Sequence, residues 1–83
     1  MNRKKLLRLI AQGKTANIGF ADLLDLAEGF GFKPDGIAGS HRVLKHDGLR
    51  TLLNLQPVAG QAKPYQVRQL MRLVEKHHLP LED

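Results

Sequence analysis

His41 is the residue of this 83-residue chain whose type and neighbours best suit chemistry. It follows Gly39 and Ser40 at the start of a predicted strand. An imidazole that titrates near neutral pH can take the proton from a ribose 2′-OH, and the oxygen then attacks the adjacent phosphate. Only RNA has that internal nucleophile. The small residues before His41 allow a nucleic-acid backbone to approach, but a lone histidine in a basic protein is usually an ordinary surface histidine. RNA cleavage is favoured over that alternative only together with a second segment and the order of the predicted elements.

A second segment, residues 62–68, leads from a loop into a predicted helix that begins at Pro64. The N-terminus of a helix can bind a phosphate through its free N–H groups and the helix dipole. Lys63 stands just before this helix, and Arg68 begins a basic stripe along it. RNA binding and a simple solvated face explain this stripe equally well. Tyr65 can stack on a base or pack against the core, and core packing is favoured.

A predicted hairpin decides which side chains surround His41. The strands 42–46 and 49–56 are separated by Asp47 and Gly48, a strong hairpin signal. A two-residue turn there would place Lys45 opposite Arg50 and His41 opposite Asn54. Alternation then puts a less apolar set of residues on the same open face as His41, namely Val43, Lys45, Arg50, Leu52, Asn54 and Gln56. The more apolar face, expected against the helices, consists of Arg42, Leu44, His46, Leu49, Thr51, Leu53 and Leu55.

The remaining periodicity predicts the elements that hold this hairpin. They are helices over 4–11 and 20–30, a strand over 32–38, and a helix that begins at Pro64 and is closed by Pro80. Asp35 and Gly36 predict a turn or a bulge in the first strand. This order predicts an α+β domain, in which helices cover one face of a three-stranded antiparallel sheet. Residues 1–17 are expected to be an N-terminal helical extension, and residues 18–83 the main domain.

Three motifs together resemble the HicA-like (YcfA-type) toxins: residues 39–41, residues 53–57 and residues 62–70. These toxins are small bacterial ribonucleases that cleave mRNA and are silenced by a partner antitoxin, usually HicB. The resemblance covers residues 20–78 and implies a fold like that of double-stranded-RNA-binding domains. It implies His41 as the general base and a set of RNA-binding residues, namely Gly39, Ser40, Lys45, Lys63 and Arg68.

The resemblance also implies partners for the chain. A HicB-like antitoxin would cover the face that contains His41, and the toxin–antitoxin complex would bind its own operator DNA. No metal or other cofactor is expected, because the 2′-OH supplies the nucleophile. The chain departs from the family at Gly36 and Gly19, where a basic residue is frequent. Both departures concern RNA affinity rather than the general base.

Composition limits the other possibilities. The net charge of +5 favours a polyanionic partner, and the absence of Cys excludes disulfides and thiolate metal sites. The apolar stretch after the basic residues 1–5 is too short for an export signal or a membrane span, so a cytoplasmic protein without a membrane partner is expected. Adjacent His77 and His78 point in different directions on a helix, which argues against a metal site.

Two other functions fit the same residues. One is a non-catalytic RNA-binding module that uses the same sheet face and basic helix. Such a module has no particular use for an ionisable group at position 41. The other is an interaction protein whose basic face docks an acidic partner. A nuclease assay distinguishes all three.

Overall fold

The protein has helices on one side of a small antiparallel sheet, as seen in a computed structural model that describes residues 1–82. The helices are α1 (Arg3–Ala11), α2 (Phe20–Gly29) and α3 (Pro64–His77). The strands are β1 (Ile18–Gly19), β2 (Phe32–Ala38), β3 (His41–His46), β4 (Leu53–Leu55) and β5 (Gln61–Ala62). The predicted α+β class with a three-stranded antiparallel sheet is confirmed.

Helix α1 packs into the same core as the rest of the chain. Its first turn is capped by Asn2, whose side-chain oxygen accepts a hydrogen bond from the backbone N–H of Lys5 at 3.0 Å. Leu6 and Ile10 point from α1 into the core. Arg3 forms an ion pair with Asp25 of α2 at 2.9 Å. Burial of these apolar side chains therefore holds α1 against α2.

The main sheet has the strand order β2–β3–β4, with antiparallel pairing throughout. The pairing of β2 with β3 shifts between Pro34 and Gly36, so the Asp35–Gly36 feature is a bulge rather than a turn. A bulge suits this strand because Pro34 lacks the N–H that regular pairing would use. Strand β2 otherwise spans the predicted residues.

The pairing of β3 with β4 differs from the predicted hairpin. Val43 pairs with Asn54 and Leu44 with Leu53, which is a shift of two residues, and β4 is limited to residues 53–55. The expected pairs of His41 with Asn54 and of Lys45 with Arg50 are therefore wrong. Because side chains alternate with a period of two, an even shift leaves the side chains of β3 and β4 on their predicted faces.

Contacts of His46 explain why the loop is longer than predicted. The backbone N–H of Leu49 donates to the His46 carbonyl at 3.0 Å, and that of Gly48 donates to His46 Nδ1 at 3.0 Å. Leu49 then packs against the core, which draws residues 50–52 out of strand pairing. A hydrogen bond from Lys33 Nζ at 3.0 Å lowers the pKa of the Asp47 carboxyl in the same loop.

Leu44, Leu53 and Leu55 are buried, as predicted for the helix-facing side of the sheet. They meet a core formed by all three helices and the strand ends: Leu6, Ile10, Ile18, Phe20, Leu23, Leu26, Ala27, Phe30, Phe32, Ala62, Val67 and Leu70. Arg42 lies on the same side of the sheet but is exposed, and it lines a shallow cavity together with Leu24 and Glu28 of α2. Within residues 1–82, no helix is long and apolar enough to cross a bilayer.

A second, two-stranded sheet was not predicted. Strands β1 and β5 pair Ile18 with Ala62 and Gly19 with Gln61. The backbone N–H of Phe20 donates to the Gly60 carbonyl at 2.9 Å, at the start of α2. This small sheet fixes the beginning of α2 against the loop that leads into α3.

Candidate functional site

The open face of the main sheet contains the leading candidate residues. His41, Lys45 and Asn54 are exposed there, and Val43 is half-buried between them. Their neighbours in sequence, Leu44 and its partners on β4, point to the core instead. The prediction that His41, Lys45 and Asn54 share an open face is therefore confirmed, whereas Arg50 lies in the loop after β3.

The side-chain amide of Asn54, on the neighbouring strand β4, contacts the ring of His41. His41 Nδ1 lies 3.1 Å from Asn54 Oδ1. Asn54 sits opposite Val43, so it reaches His41 diagonally across the strand pair, a relation within reach of long side chains. Among residues 1–82, the second ring nitrogen of His41, Nε2, has no hydrogen-bond partner. His41 therefore has one ring nitrogen fixed by the protein and the other available to a ligand.

The two residues before His41 form the tight turn between β2 and β3. Gly39 has φ +62°, a left-handed conformation that glycine adopts without steric cost. Ser40 Oγ accepts a hydrogen bond of 2.9 Å from Gln56 Nε2. Asn54 and Gln56 thus hold His41 and Ser40 respectively, and the Gly39–His41 turn has a defined geometry at one end of the sheet.

Lys45 lies on the same face as His41 but not beside it. Four residues along a strand correspond to about 13 Å between the two Cα atoms. The Lys45 ammonium lies 3.6 Å from Asp35 Oδ1, a contact between two exposed side chains. Lys45 is consequently placed to meet a different phosphate from the one at His41 if a single strand of RNA crosses this face.

Lys63 and Tyr65 lie together at the start of α3. The Lys63 ammonium is 5.8 Å from the centre of the Tyr65 ring, a cation–π arrangement. Tyr65 is 49 % exposed, so the expectation that it packs in the core is wrong. The buried Gln66 caps the start of α3 instead. Its Oε1 accepts a 3.3 Å hydrogen bond from the backbone N–H of Lys63.

Arg68 is on the helical side of the protein. It lines a groove of about 280 Å³ between α1 and α3, together with Ile10, Met71, Arg72 and Glu75. The structure therefore separates Arg68 from the open sheet face, whereas His41, Ser40 and Gly39 are brought together. RNA that contacts both regions has to pass around the edge of the domain.

Both ring nitrogens of the other histidine of β3, His46, contact groups within the protein. His46 Nε2 lies 3.1 Å from the Phe30 carbonyl, its Nδ1 accepts from Gly48, and its ring meets Phe32 edge-on with centroids 5.3 Å apart. His77 and His78 are exposed at the end of α3. In the described part of the chain, no three His, Asp or Glu side chains are grouped to hold a metal ion.

The hairpin prediction placed Asn54 opposite His41, but the hydrogen bonds of Asn54 with His41 and of Gln56 with Ser40 were not predicted. The available signal was weak: two amides at alternate positions, Asn54 between two buried leucines and Gln56 directly after the second. No family model, no curated protein and no solved structure matches this chain. Any functional assignment therefore has to rest on the geometry of its own residues.

Proposed function

We propose that this protein is a metal-independent endoribonuclease that cleaves mRNA, with His41 as the general base. The observation that supports this proposal most is the exposed imidazole of His41, which Asn54 holds through Nδ1 while no residue among 1–82 forms a hydrogen bond with Nε2. An ordinary surface histidine without a catalytic role does not need its ring to be oriented by a hydrogen bond. The glycine and serine of the preceding turn leave space and a hydroxyl group for a phosphodiester beside it.

The reaction that this geometry suits is internal transesterification. Nε2 of His41 takes the proton of a ribose 2′-OH while the 2′-oxygen forms a bond to the adjacent phosphorus. The bond from phosphorus to the 5′-oxygen breaks, which leaves a 2′,3′-cyclic phosphate on one fragment. The departing 5′-oxygen takes a proton from water, since Lys45 lies about 13 Å along the strand. The imidazolium then returns its proton to solvent.

The order of elements from α2 to α3 supports a fold like that of double-stranded-RNA-binding domains. The three antiparallel strands of the main sheet and the two-residue strand β5 lie between these two helices in the chain, and the buried sheet residues face the helices. With the motifs around His41 and Lys63, this order supports a HicA-like toxin in the cytoplasm. A HicB-like antitoxin would silence the protein by covering the open face, and the complex would bind operator DNA.

A non-catalytic RNA-binding module is the second candidate. Tyr65, half exposed beside Lys63, favours this function, because bases stack on exposed aromatic rings regardless of sequence. The two candidates differ at His41 alone: a binding module does not need its Nε2. Cleavage of RNA by the purified chain therefore separates them.

We expect the purified protein to cleave single-stranded RNA in the presence of a chelator and to leave 2′,3′-cyclic phosphate or 3′-phosphate ends. The internal nucleophile explains both results, because the phosphate stays on the ribose that supplied the attacking oxygen. End-group mapping of the fragments measures this, and His41→Ala protein purified identically controls for contaminating nucleases. Fragments with 3′-hydroxyl ends, or loss of cleavage in EDTA, would contradict the mechanism.

We expect Lys63→Ala and Arg68→Ala each to flatten the salt dependence of RNA binding. Each phosphate contact on a single strand contributes about 0.7 to the slope of log K against log salt concentration. Binding titrations at several salt concentrations measure the change, with exposed Lys5→Ala on α1 as a charge-matched control outside the basic stripe. Unchanged slopes in both variants would show that the start of α3 faces a protein partner rather than phosphate.

A further inference from the structure

Asn54 contacts the residue on which the proposed reaction depends, and it does so at the ring nitrogen that the reaction does not use. We propose that Asn54 is a positioning residue that holds His41 in the Nδ1-protonated tautomer. This inference rests on the proposed ribonuclease function and adds a requirement to it. His41 can act as a base only with Nε2 unprotonated, and Asn54 favours that form.

The chemistry of the 3.1 Å contact decides the tautomer. A side-chain amide oxygen accepts hydrogen bonds and does not donate them, and neutral imidazole has one N–H and one lone pair. If the proton were on Nε2, two sets of lone pairs would face each other between His41 and Asn54. The proton therefore belongs on Nδ1, where it is donated to Asn54 Oδ1. Nε2 keeps its lone pair on the exposed side of the ring.

Asn54 is suited to this role because its backbone is fixed on both sides. Leu53 and Leu55 are both fully buried, so their packing sets the position of the strand between them. Asn54 also pairs with Val43 in the centre of the three-residue strand β4. An exposed side chain on such a well-packed strand holds its partner more precisely than one on a loop.

Gln56 performs the corresponding task at Ser40. Its Nε2 donates to Ser40 Oγ at 2.9 Å, so the oxygen accepts within the protein and the hydroxyl hydrogen is free to point outward. Ser40 is thereby prepared to donate to a phosphate oxygen. Within residues 1–82 the hydrogen bond of Gln56 goes to Ser40 and not to the His41 ring, which makes Gln56 the matched control for Asn54.

Two substitutions of Asn54 should change different kinetic constants, one kcat and the other KM. Asn54→Leu removes the acceptor, so kcat should fall roughly 10- to 100-fold, the usual loss when an orienting partner is removed, while KM changes little. Asn54→Asp keeps an oxygen that only accepts, so kcat should be retained, but its negative charge on the RNA face should raise KM. Gln56→Leu should raise KM and leave the His41 tautomer unchanged.

The tautomer can be observed without RNA, by nitrogen–proton correlation spectra of the imidazole rings in isotope-labelled full-length protein at mildly alkaline pH. We expect His41 to be protonated at Nδ1 in the wild type, in Asn54→Asp and in Gln56→Leu, and to shift toward the Nε2-protonated form in Asn54→Leu. A wild-type His41 protonated at Nε2 would overturn the inference, as would an Asn54→Leu protein with unchanged tautomer and kcat.

The spectra and the cleavage assay together distinguish failure of the ribonuclease proposal from failure of the positioning role of Asn54. If the tautomers behave as expected but the wild type does not cleave RNA, the proposed function is wrong and Asn54 still orients the ring. If the wild type cleaves RNA with the same kcat as Asn54→Leu, the ribonuclease proposal holds and the positioning role of Asn54 is wrong. Denaturant unfolding of Asn54→Leu shows whether the domain itself has been weakened.

Discussion

His41→Ala is expected to reduce the rate of RNA cleavage by about 10²- to 10⁴-fold, the usual contribution of a positioned acid–base group. Its free energy of unfolding should change by no more than about 0.5 kcal/mol, because the side chain is exposed and supports no core contact. RNA affinity should fall only slightly, since the cationic residues remain. Single-turnover cleavage, denaturant unfolding and binding titrations measure the three quantities.

His77→Ala is the matched control for this substitution. His77 is an exposed histidine at the end of α3, away from the open sheet face, so its removal should leave cleavage unchanged. In cells, the wild type should be difficult to express without its partner, whereas His41→Ala should be tolerated. A destabilised His41→Ala protein that still cleaves RNA would identify His41 as a structural residue and remove the proposed base.

His46→Ala should produce the opposite result on the same strand. We expect it to lower the free energy of unfolding by about 2–3 kcal/mol, because it removes two hydrogen bonds and the edge-on contact with Phe32. The carbonyl of Phe30 and the N–H of Gly48 also lose their partner. Cleavage per folded molecule should be retained, since His46 points to the core side of the sheet. A fully stable His46→Ala protein would contradict the structural role.

Gly31→Ala tests the packing of the His46 ring against the neighbouring backbone. A Cβ at Gly31 would lie 2.7 Å from His46 Nε2, and the backbone there has φ +99°, which disfavours residues with a side chain. The substitution should therefore destabilise the wild type through both clash and backbone strain. In the His46→Ala background the clash disappears and only a backbone cost of about 1–2 kcal/mol remains. A double-mutant cycle measures the difference, and strictly additive effects would show that the two residues do not interact.

The faces of the sheet were predictable from the sequence because alternation is a local property. Leu53 and Leu55 flank the polar Asn54, and Leu44 stands next to Lys45, so the alternation along each strand indicates which side is buried. The register was not predictable in the same way. Asp47 and Gly48 indicate the turn correctly, but the insertion of residues 50–52 depends on the burial of Leu49 and on the hydrogen bonds of His46, which are tertiary contacts.

The candidate site was predicted in part, and for a partly incorrect reason. His41 and Asn54 were expected to be direct partners across the hairpin, yet they meet diagonally after a shift of two residues. Their proximity survived the error because an even shift preserves the face. Arg50 did not remain in the site, since it lies in the inserted loop. Tyr65 was misassigned because helical spacing does not show where a helix end meets solvent.

The β1–β5 pairing has a consequence for the order in which the chain folds. It joins Ile18 to Ala62, 44 positions apart, whereas the β2–β3 hairpin begins with Ala38 and His41, three positions apart. Closing a longer loop costs more chain entropy, so the hairpin can form early and the two-residue sheet is expected to close late. Changes at Ile18 or Ala62 would then mainly accelerate unfolding and leave the folding rate nearly unaltered. The start of α2 would open before the strand that holds His41.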